Sequence, residues 1–292
     1  MEEINNTCYV FQVDSDIVQQ VYNEQDNFLI EYDNQGDNNW CAIYFSSNDV
    51  YFPNTEEIFR KRIINKNFFE WYHSRINKAS KHIFVRDIFK QWYLAGVNRQ
   101  INTPDKLIEF LKKETEGYNV ITIGSSAGGY AAMLYGSYIN TKYVLAFNPQ
   151  FEIKTLLETS SEYKNPLIFR IKDERVKFFD ITNLINSQVE IFYFFSNASP
   201  WDIEQNKYCP IGNIYPIEFK SSHHGIPFLK VALPIVINLN SDKLISFSDK
   251  VHIPIIFTIK MVGIINTLVG LCKQIYKACL LYTSPSPRDR TR

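Results

Sequence analysis

The sequence predicts an α/β fold built on a mainly parallel sheet with helices on both faces. Short β-branched and aromatic runs recur along the chain, at residues 40–45, 119–123, 143–147 and 189–195. Stretches with helical patterning separate several of these runs, as at residues 103–113. Strands that alternate with helices are typical of a parallel sheet covered on both faces.

The amino-acid composition indicates which kinds of binding partner and which cellular compartment to expect. The chain has 292 residues, of which 45% are hydrophobic, so one sizeable core is expected. Lys+Arg and Asp+Glu both number 31, which gives no reason to expect a nucleic-acid partner. The five cysteines are scattered and form no Cys-x-x-Cys motif, which predicts reduced thiols in a cytoplasmic protein, with no metal site and no cofactor.

Four segments are expected. Residues 1–35 are predicted to contribute N-terminal edge strands, from runs at 7–13 and 28–32, and residues 36–250 to form the catalytic domain. Residues 251–280 are predicted to form an amphipathic C-terminal helix. Residues 281–292 are rich in Pro, Ser and Arg, and resemble a translated sequencing adapter. We expect that tail to be disordered and non-native, and give it no functional role.

The C-terminal apolar stretch needs an interpretation of its own. Residues 253–272 are largely apolar but include Pro254, Lys260 and Asn266. A helix packed on the domain, or lying on a membrane surface, is favoured over a membrane span. Peripheral membrane contact is therefore one expected interaction.

The run at 40–45 predicts a buried strand that ends in three polar residues, Ser46, Ser47 and Asn48. Open α/β sheets place their chemistry at the carboxyl ends of strands. One of these residues is therefore a candidate to donate a backbone N–H to an oxyanion, and a plain polar turn is the alternative.

The intervening segments carry weaker signals. Residues 54–78 mix charges and aromatics, as in an amphipathic helix or a lid-like insertion. Thr103 followed by Pro104 marks the start of the helix at 103–113. Residues 151–180 lack a clear period and are expected to form a peripheral excursion near the site.

The strongest motif lies at residues 119–136, where a strand, a Gly-Ser-Ser-Ala-Gly turn and a helix follow one another. This arrangement predicts a nucleophile elbow, with Ser126 at a strained position above the sheet edge. Gly124 and Gly128 fit the tight turn, where a Cβ would collide with the adjoining strand and helix. The N–H of Ala127, at the start of the following helix, is a candidate oxyanion donor.

A serine nucleophile needs a base. Among the five histidines, only His223 and His224 lie on a loop after a late strand. We favour His224, because Gly225 permits the turn that would direct its ring to Ser126. His223 is the alternative.

The base in turn needs an acid to orient it, from a strand exit between the serine and the histidine. Asp202 lies just beyond the strand at 189–195 and meets this requirement. Glu204 is the close alternative and Asp180 a weaker one. Asp202 is also a candidate helix N-cap.

With these residues in place, the chain resembles the α/β-hydrolase superfamily over residues 36 to about 275. The elbow and the loop around His224 also resemble bacterial serine-hydrolase-like proteins associated with cell-surface polysaccharide loci. The resemblance implies Ser126 as nucleophile, His224 as base and Asp202 as acid. The family's His-Gly-Gly-Gly oxyanion motif is replaced here by Ser46-Ser47-Asn48.

Two classes of function follow. The first is a serine hydrolase that forms an acyl-enzyme from a small-molecule or glycan ester, with O-acyl transfer to a glycan as its variant. The second is a non-catalytic scaffold of the same fold, because fold alone does not establish activity.

Overall fold

A computed structural model describes the backbone of residues 8–283 and the side chains of residues 8–276. Within that part of the chain, eight strands form one sheet in the order β1-β3-β2-β4-β5-β6-β7-β8. Every neighbouring pair is parallel except β1 with β3, which is antiparallel. The predicted α/β fold with a mainly parallel sheet is confirmed.

The elements have the following bounds. The strands are β1 Phe28–Tyr32, β2 Asp37–Phe45, β3 Ala79–Val85, β4 Asn119–Ser125, β5 Tyr143–Phe147, β6 Glu190–Ser196, β7 Ile214–Phe219 and β8 Val251–His252. The helices are α1 Phe11–Asp14, α2 Asp16–Glu24, α3 Glu56–Phe59, α4 Pro104–Glu114, α5 Ala127–Tyr138, α6 Leu156–Thr159, α7 Pro166–Arg170, α8 Pro200–Asn206, α9 Leu233–Val236, α10 Ser241–Ile245 and α11 Pro254–Thr283. A π-helical turn covers Arg60–Ile64, and 3-10 turns cover Asn48–Val50, Glu174–Phe179 and Lys230–Ala232.

The two faces of the sheet each have a hydrophobic core. Alternate side chains of β4 point to opposite faces, so Val120 packs with α4 and α5 whereas Ile121 packs on the side of α9 and α11. The helix α5 is buried along nearly its whole length, which explains its Ala- and Gly-rich sequence. The elbow at its start is therefore held between two packed layers.

The predicted strand at residues 7–13 is wrong, because Phe11–Asp14 is helical and leads directly into α2. Val10, Val13 and Ile17 recur at helical spacing and pack into one small cluster. The Asp14 carboxylate also accepts the Val10 N–H at 2.6 Å, which favours a helical turn. The predicted edge strand at 28–32 is present as β1.

Two segments differ from the expectation of a lid or a peripheral cap. Residues 54–78 contain only the short α3 and the π-helical turn, and Trp71 donates from its indole nitrogen to the Phe45 carbonyl at 2.9 Å. In residues 151–180, Phe151 and Phe178 are completely buried in the core that also contains α5. Both segments are therefore packed parts of the domain.

Candidate active site

The elbow places Ser126 in a backbone conformation that few residues adopt. Its φ and ψ angles are 53° and −124°, between the end of β4 and the start of α5. A Cβ on Gly124 would lie 2.0 Å from the Gly128 carbonyl oxygen, and one on Gly128 would lie 2.3 Å from that of Phe45. The turn therefore requires glycine at both positions, and the half-buried Ser126 side chain remains at the sheet edge.

The structure brings Ser126, His224 and Asp202 together. His224 Nε2 lies 2.8 Å from Ser126 Oγ, and His224 Nδ1 lies 2.7 Å from Asp202 Oδ1. Asp202 is 1% exposed. Its Oδ2 has no hydrogen-bond partner within the described part of the chain. The carboxylate can therefore hold a proton on Nδ1, which leaves Nε2 free to accept the serine proton.

The alternative acids and base lie elsewhere. The His223 side chain is exposed, and Glu204 forms an ion pair with Lys207 at 2.6 Å. Asp180 accepts hydrogen bonds from the backbone and hydroxyl of Thr182. Ser199 is the N-cap of α8, so Asp202 is not the cap. Of the three candidate acids, only Asp202 is hydrogen-bonded to the His224 ring.

Two buried side chains that the sequence did not single out hold the His224 loop. Asn148, at the exit of β5, donates from Nδ2 to the carbonyls of His223 at 3.2 Å and Gly225 at 2.8 Å. Ser196, at the end of β6, donates from Oγ to the His223 carbonyl at 2.7 Å. These bonds fix the backbone on both sides of His224. The only sequence signal is a polar residue where each buried strand ends.

The candidate oxyanion donors differ in what their N–H groups already contact. The Ser46 N–H donates to Val85 O at 3.0 Å, and the Ser47 N–H donates to Glu70 Oε2 at 2.5 Å. Within residues 8–283, the N–H groups of Asn48 and Ala127 have no such acceptor. The close approach of Gly128 to Phe45 and Ser46 places the β2 exit beside the elbow. Asn48 and Ala127 therefore have the unengaged donors.

Glu70 adds a carboxylate to this edge of the site. Burial raises its pKa above the ordinary value, whereas the hydrogen bonds from Ser47 lower it, and burial has the larger effect. Keeping Glu70 negatively charged therefore costs free energy, even though its carboxylate accepts the Ser47 N–H.

Gln150 is a further buried neighbour of the nucleophile. Its Oε1 accepts the indole N–H of Trp92 at 2.9 Å. Its Nε2 lies 3.4 Å from Ser126 Oγ and 3.5 Å from Asn148 O. The sequence shows Gln150 only as a residue after a strand, since its partner Trp92 lies 58 positions away.

No group of three or more His, Cys, Asp or Glu residues that could hold a metal ion occurs among the residues the structure describes. Cys8, Cys41, Cys209 and Cys272 are free thiols.

No protein-family model matches the chain, and no curated protein matches it. Among solved structures, a protein with unknown function from Staphylococcus aureus subsp. aureus Mu50 is 10% identical, with a TM-score of 0.48 over 75% of this chain and 94% of that one. The capsule O-acetyltransferase of Neisseria meningitidis serogroup A is 13% identical, with a TM-score of 0.45 over 67% of this chain and 84% of that one. An inhibited esterase B from Lactobacillus rhamnosis is 11% identical, with a TM-score of 0.42 over 87% of this chain and 90% of that one. On its own strand order and its strand-turn-helix elbow, the chain has an α/β-hydrolase-like fold.

Proposed function

We propose that this protein is a serine-dependent enzyme that cleaves esters through an acyl-enzyme on Ser126. The observation that carries the proposal is the continuous hydrogen-bonded chain from Ser126 Oγ through His224 to Asp202, with distances of 2.8 and 2.7 Å. A serine hydroxyl is a weak nucleophile, and this arrangement is the one that activates it.

In the first half-reaction, Ser126 Oγ attacks the ester carbonyl carbon while His224 Nε2 accepts the hydroxyl proton. The carbonyl oxygen becomes an oxyanion, which in this proposal accepts hydrogen bonds from the unengaged N–H groups of Ala127 and Asn48. The imidazolium then gives its proton to the leaving alkoxide as the C–O bond breaks. The products are an alcohol and an acyl group on Ser126.

In the second half-reaction, a hydroxyl group attacks the acyl carbon while His224 Nε2 accepts its proton. The bond from the acyl carbon to Ser126 Oγ then breaks, and His224 returns the proton to Oγ. If that hydroxyl belongs to water the product is an acid, and if it belongs to a sugar the product is a new ester. Both outcomes use the same protein groups. The resemblance of the elbow and the His224 loop to proteins of polysaccharide loci supports acylated glycans as the first substrates to test.

A fluorophosphonate probe tests the nucleophile directly, because it reacts with activated serines. We expect stoichiometric labelling of the native protein at Ser126 and none of the Ser126→Ala variant. Separate incubation of unlabelled protein with p-nitrophenyl acetate, in water alone and with added sugar alcohols, then distinguishes hydrolysis from transfer by whether acetate or a sugar acetate is formed. A native protein that is folded but not labelled would refute Ser126 as the nucleophile and favour the non-catalytic scaffold instead.

A further inference from the structure

The C-terminal half of α11 exposes its most apolar side. The helix is interrupted at Gly263, where φ is 79° and ψ is 166°. Beyond this point, large apolar side chains between 47% and 77% exposed recur at spacings of one, three, four and seven residues, and so form one stripe: Ile264, Ile265, Leu268, Val269, Ile275 and Tyr276. A surface helix of a soluble domain normally turns such a stripe to the core.

The opposite side of the same helix, which faces the protein, is made of small residues. Thr267 is 3% exposed, and a Cβ on Gly270 would lie 2.7 Å from Val231 Cγ1. The chain is therefore helical in the predicted C-terminal segment, but its large apolar residues lie outside. Pro254–Tyr276 is long and apolar enough to cross a membrane, and 22% of its most apolar window is buried.

The polar groups of α11 are adapted to apolar surroundings. Thr258 and Thr267 donate their hydroxyls to the carbonyls four residues earlier, each at 2.8 Å, and Asn266 donates its amide to Val262 O at 2.9 Å. In hydrocarbon an unpaired polar group costs several kcal/mol. Each of these side chains thus satisfies a donor within the helix, and Thr258 Oγ1 also accepts the Leu229 N–H at 3.3 Å.

The charges of this segment favour anionic lipid. Residues 251–277 contain three lysines and neither Asp nor Glu, although positive and negative residues balance over the whole chain. Lys260 and Lys273 are exposed. Each basic side chain near an anionic membrane surface contributes about 1 kcal/mol to binding.

We propose that α11 docks in the plane of an anionic lipid bilayer, with the exposed stripe from Ile264 to Tyr276 at the headgroup–acyl boundary. The helix lies on the bilayer and does not span it, because Phe257 anchors it to the core. That ring is 1% exposed and its centroid lies 5.0 Å from Phe219 and 5.3 Å from Phe228. The proposal is independent of the ester chemistry of Ser126.

Docking would also place lipid near the loop that carries the catalytic base. The Leu229 N–H, five residues after His224, donates to Thr258 Oγ1 at 3.3 Å. Val231, in the next turn, packs on Gly270. The segment after His224 therefore rests directly on the proposed membrane helix.

Vesicle flotation of the full chain tests this proposal. With vesicles of phosphatidylcholine and phosphatidylglycerol, we expect the wild type to float, and the Ile265→Glu/Leu268→Glu variant to bind roughly tenfold or more weakly. The matched control is Ile211→Glu/Ile203→Glu, which places the same charges on exposed isoleucines outside α11 and should float like wild type. Circular dichroism melting verifies that both variants remain folded.

Three results would overturn the proposal. The first is wild-type protein that stays at the bottom of the gradient with these vesicles. The second is a dimer in light scattering that the α11 variant dissociates, without flotation of the wild type, since a second copy would then cover the stripe. The third is resistance of the bound protein to alkaline carbonate extraction, which would indicate a span.

An independent observation concerns Gln150. A Trp indole nitrogen can only donate, so the bond from Trp92 assigns Oε1 of Gln150 as the acceptor and turns Nε2 toward Ser126. The two contacts of Nε2, at 3.4 and 3.5 Å, are long for hydrogen bonds. Gln150 is 1% exposed, so its Nε2 is a buried donor that faces the nucleophile and makes only weak hydrogen bonds.

The loop that holds Trp92 is itself tightly organised. The buried Asp87 carboxylate accepts the backbone N–H groups of Phe89, Gln91 and Tyr93 at 2.7–3.0 Å. Trp92 has a φ of 52°, in the left-handed region, so its position depends on these bonds. The Gln150 amide is thereby oriented before substrate binds.

We infer that Gln150 Nε2 donates to the oxyanion formed when Ser126 attacks, as a further catalytic donor; this rests on the proposed ester chemistry. The oxyanion lies two covalent bonds away from Ser126 Oγ, within the region that Gln150 Nε2 faces. A hydrogen bond that is long in the resting state and shorter in the transition state stabilises the transition state more than the resting state.

Steady-state kinetics on Gln150 variants test this role. We expect Gln150→Ala and Gln150→Glu to lower kcat by about 10²- to 10³-fold with little change in KM, since neither alanine nor a carboxylate can donate. Trp92→Phe, which releases the amide, should lower kcat less. If kcat is unchanged in a Gln150→Ala protein whose Ser126 still reacts with fluorophosphonate, the donor role of Gln150 is refuted and the ester chemistry is not. An unlabelled wild type would refute the ester chemistry itself.

Discussion

Replacing Asp202 by Asn removes the charge behind His224 and preserves the shape of the side chain. Asp202 Oδ1 lies 2.7 Å from His224 Nδ1. With an effective dielectric constant of about 20, the attraction between a carboxylate and an imidazolium at that distance is about 6 kcal/mol. The His224 side chain is 35% exposed, so solvent screening reduces this value. We expect kcat for an activated ester to fall by about 10³- to 10⁴-fold.

The amide has no favourable orientation in this pocket. If its NH₂ group faces Nδ1, the imidazole must carry its proton on Nε2 and cannot accept one from Ser126. If its oxygen faces Nδ1, the NH₂ group takes the place of Oδ2, which has no partner in the described part of the chain. A buried unpaired donor costs about 1 to 3 kcal/mol, so melting should also be monitored.

The assay is hydrolysis of p-nitrophenyl acetate, with fluorophosphonate labelling rates as a second measure of nucleophile activation. Glu204→Gln is the matched control. It makes the same chemical change in a carboxylate that pairs with Lys207, so its kcat should stay near that of wild type. If Asp202→Asn keeps kcat within about tenfold while Glu204→Gln loses it, the assignment of the acid is refuted.

Three further changes give distinct outcomes. His224→Ala should lower ester turnover by orders of magnitude, whereas His223→Ala should leave it nearly unchanged, because the hydrogen bonds that His223 makes in the loop come from its backbone N–H and carbonyl, which alanine keeps. The opposite pattern would exchange their roles. Gly128→Ala should lower the melting temperature and the free energy of unfolding, by about 1 to 3 kcal/mol or more, because its Cβ would lie 2.3 Å from the Phe45 carbonyl oxygen. Gly212→Ala is the control, since a Cβ there would have no atom within 4 Å. Glu70→Gln should raise the melting temperature at neutral pH, since burial raises the pKa of Glu70 and the charged carboxylate destabilises the fold. This gain should vanish below pH 4.5, where the carboxyl is protonated in both the folded and the unfolded protein. An equal gain at every pH would contradict that cause.

The sheet and the elbow could be predicted because their signals are local. The apolar run of β4, the glycines that flank Ser126 and the helix-forming residues of α5 all lie within twenty positions of one another. Asp202 and His224 could be selected because parallel strands bring their carboxyl ends to one edge, so chain order alone limits the candidates.

The supporting residues could not be predicted, since their partners are distant in sequence. Asn148 reaches the carbonyls of the His224 loop across more than seventy positions, and no local pattern indicates that contact. The strand prediction for the N-terminal segment was wrong for a different reason. Val10 and Val13 are β-branched and favour a strand by propensity, but their packing with Ile17 stabilises a helix.

The order in which the site residues occur along the chain has a consequence for synthesis. Ser126 and His224 are 98 positions apart, so at about 5 to 20 residues per second the base leaves the ribosome about 5 to 20 seconds after the nucleophile. The loop that carries the base then packs on α11, which is made later still. On the proposed ester chemistry, the nascent chain therefore holds its elbow serine before the base that would activate it has been made. Both that base and the helix on which its loop packs follow the elbow in synthesis.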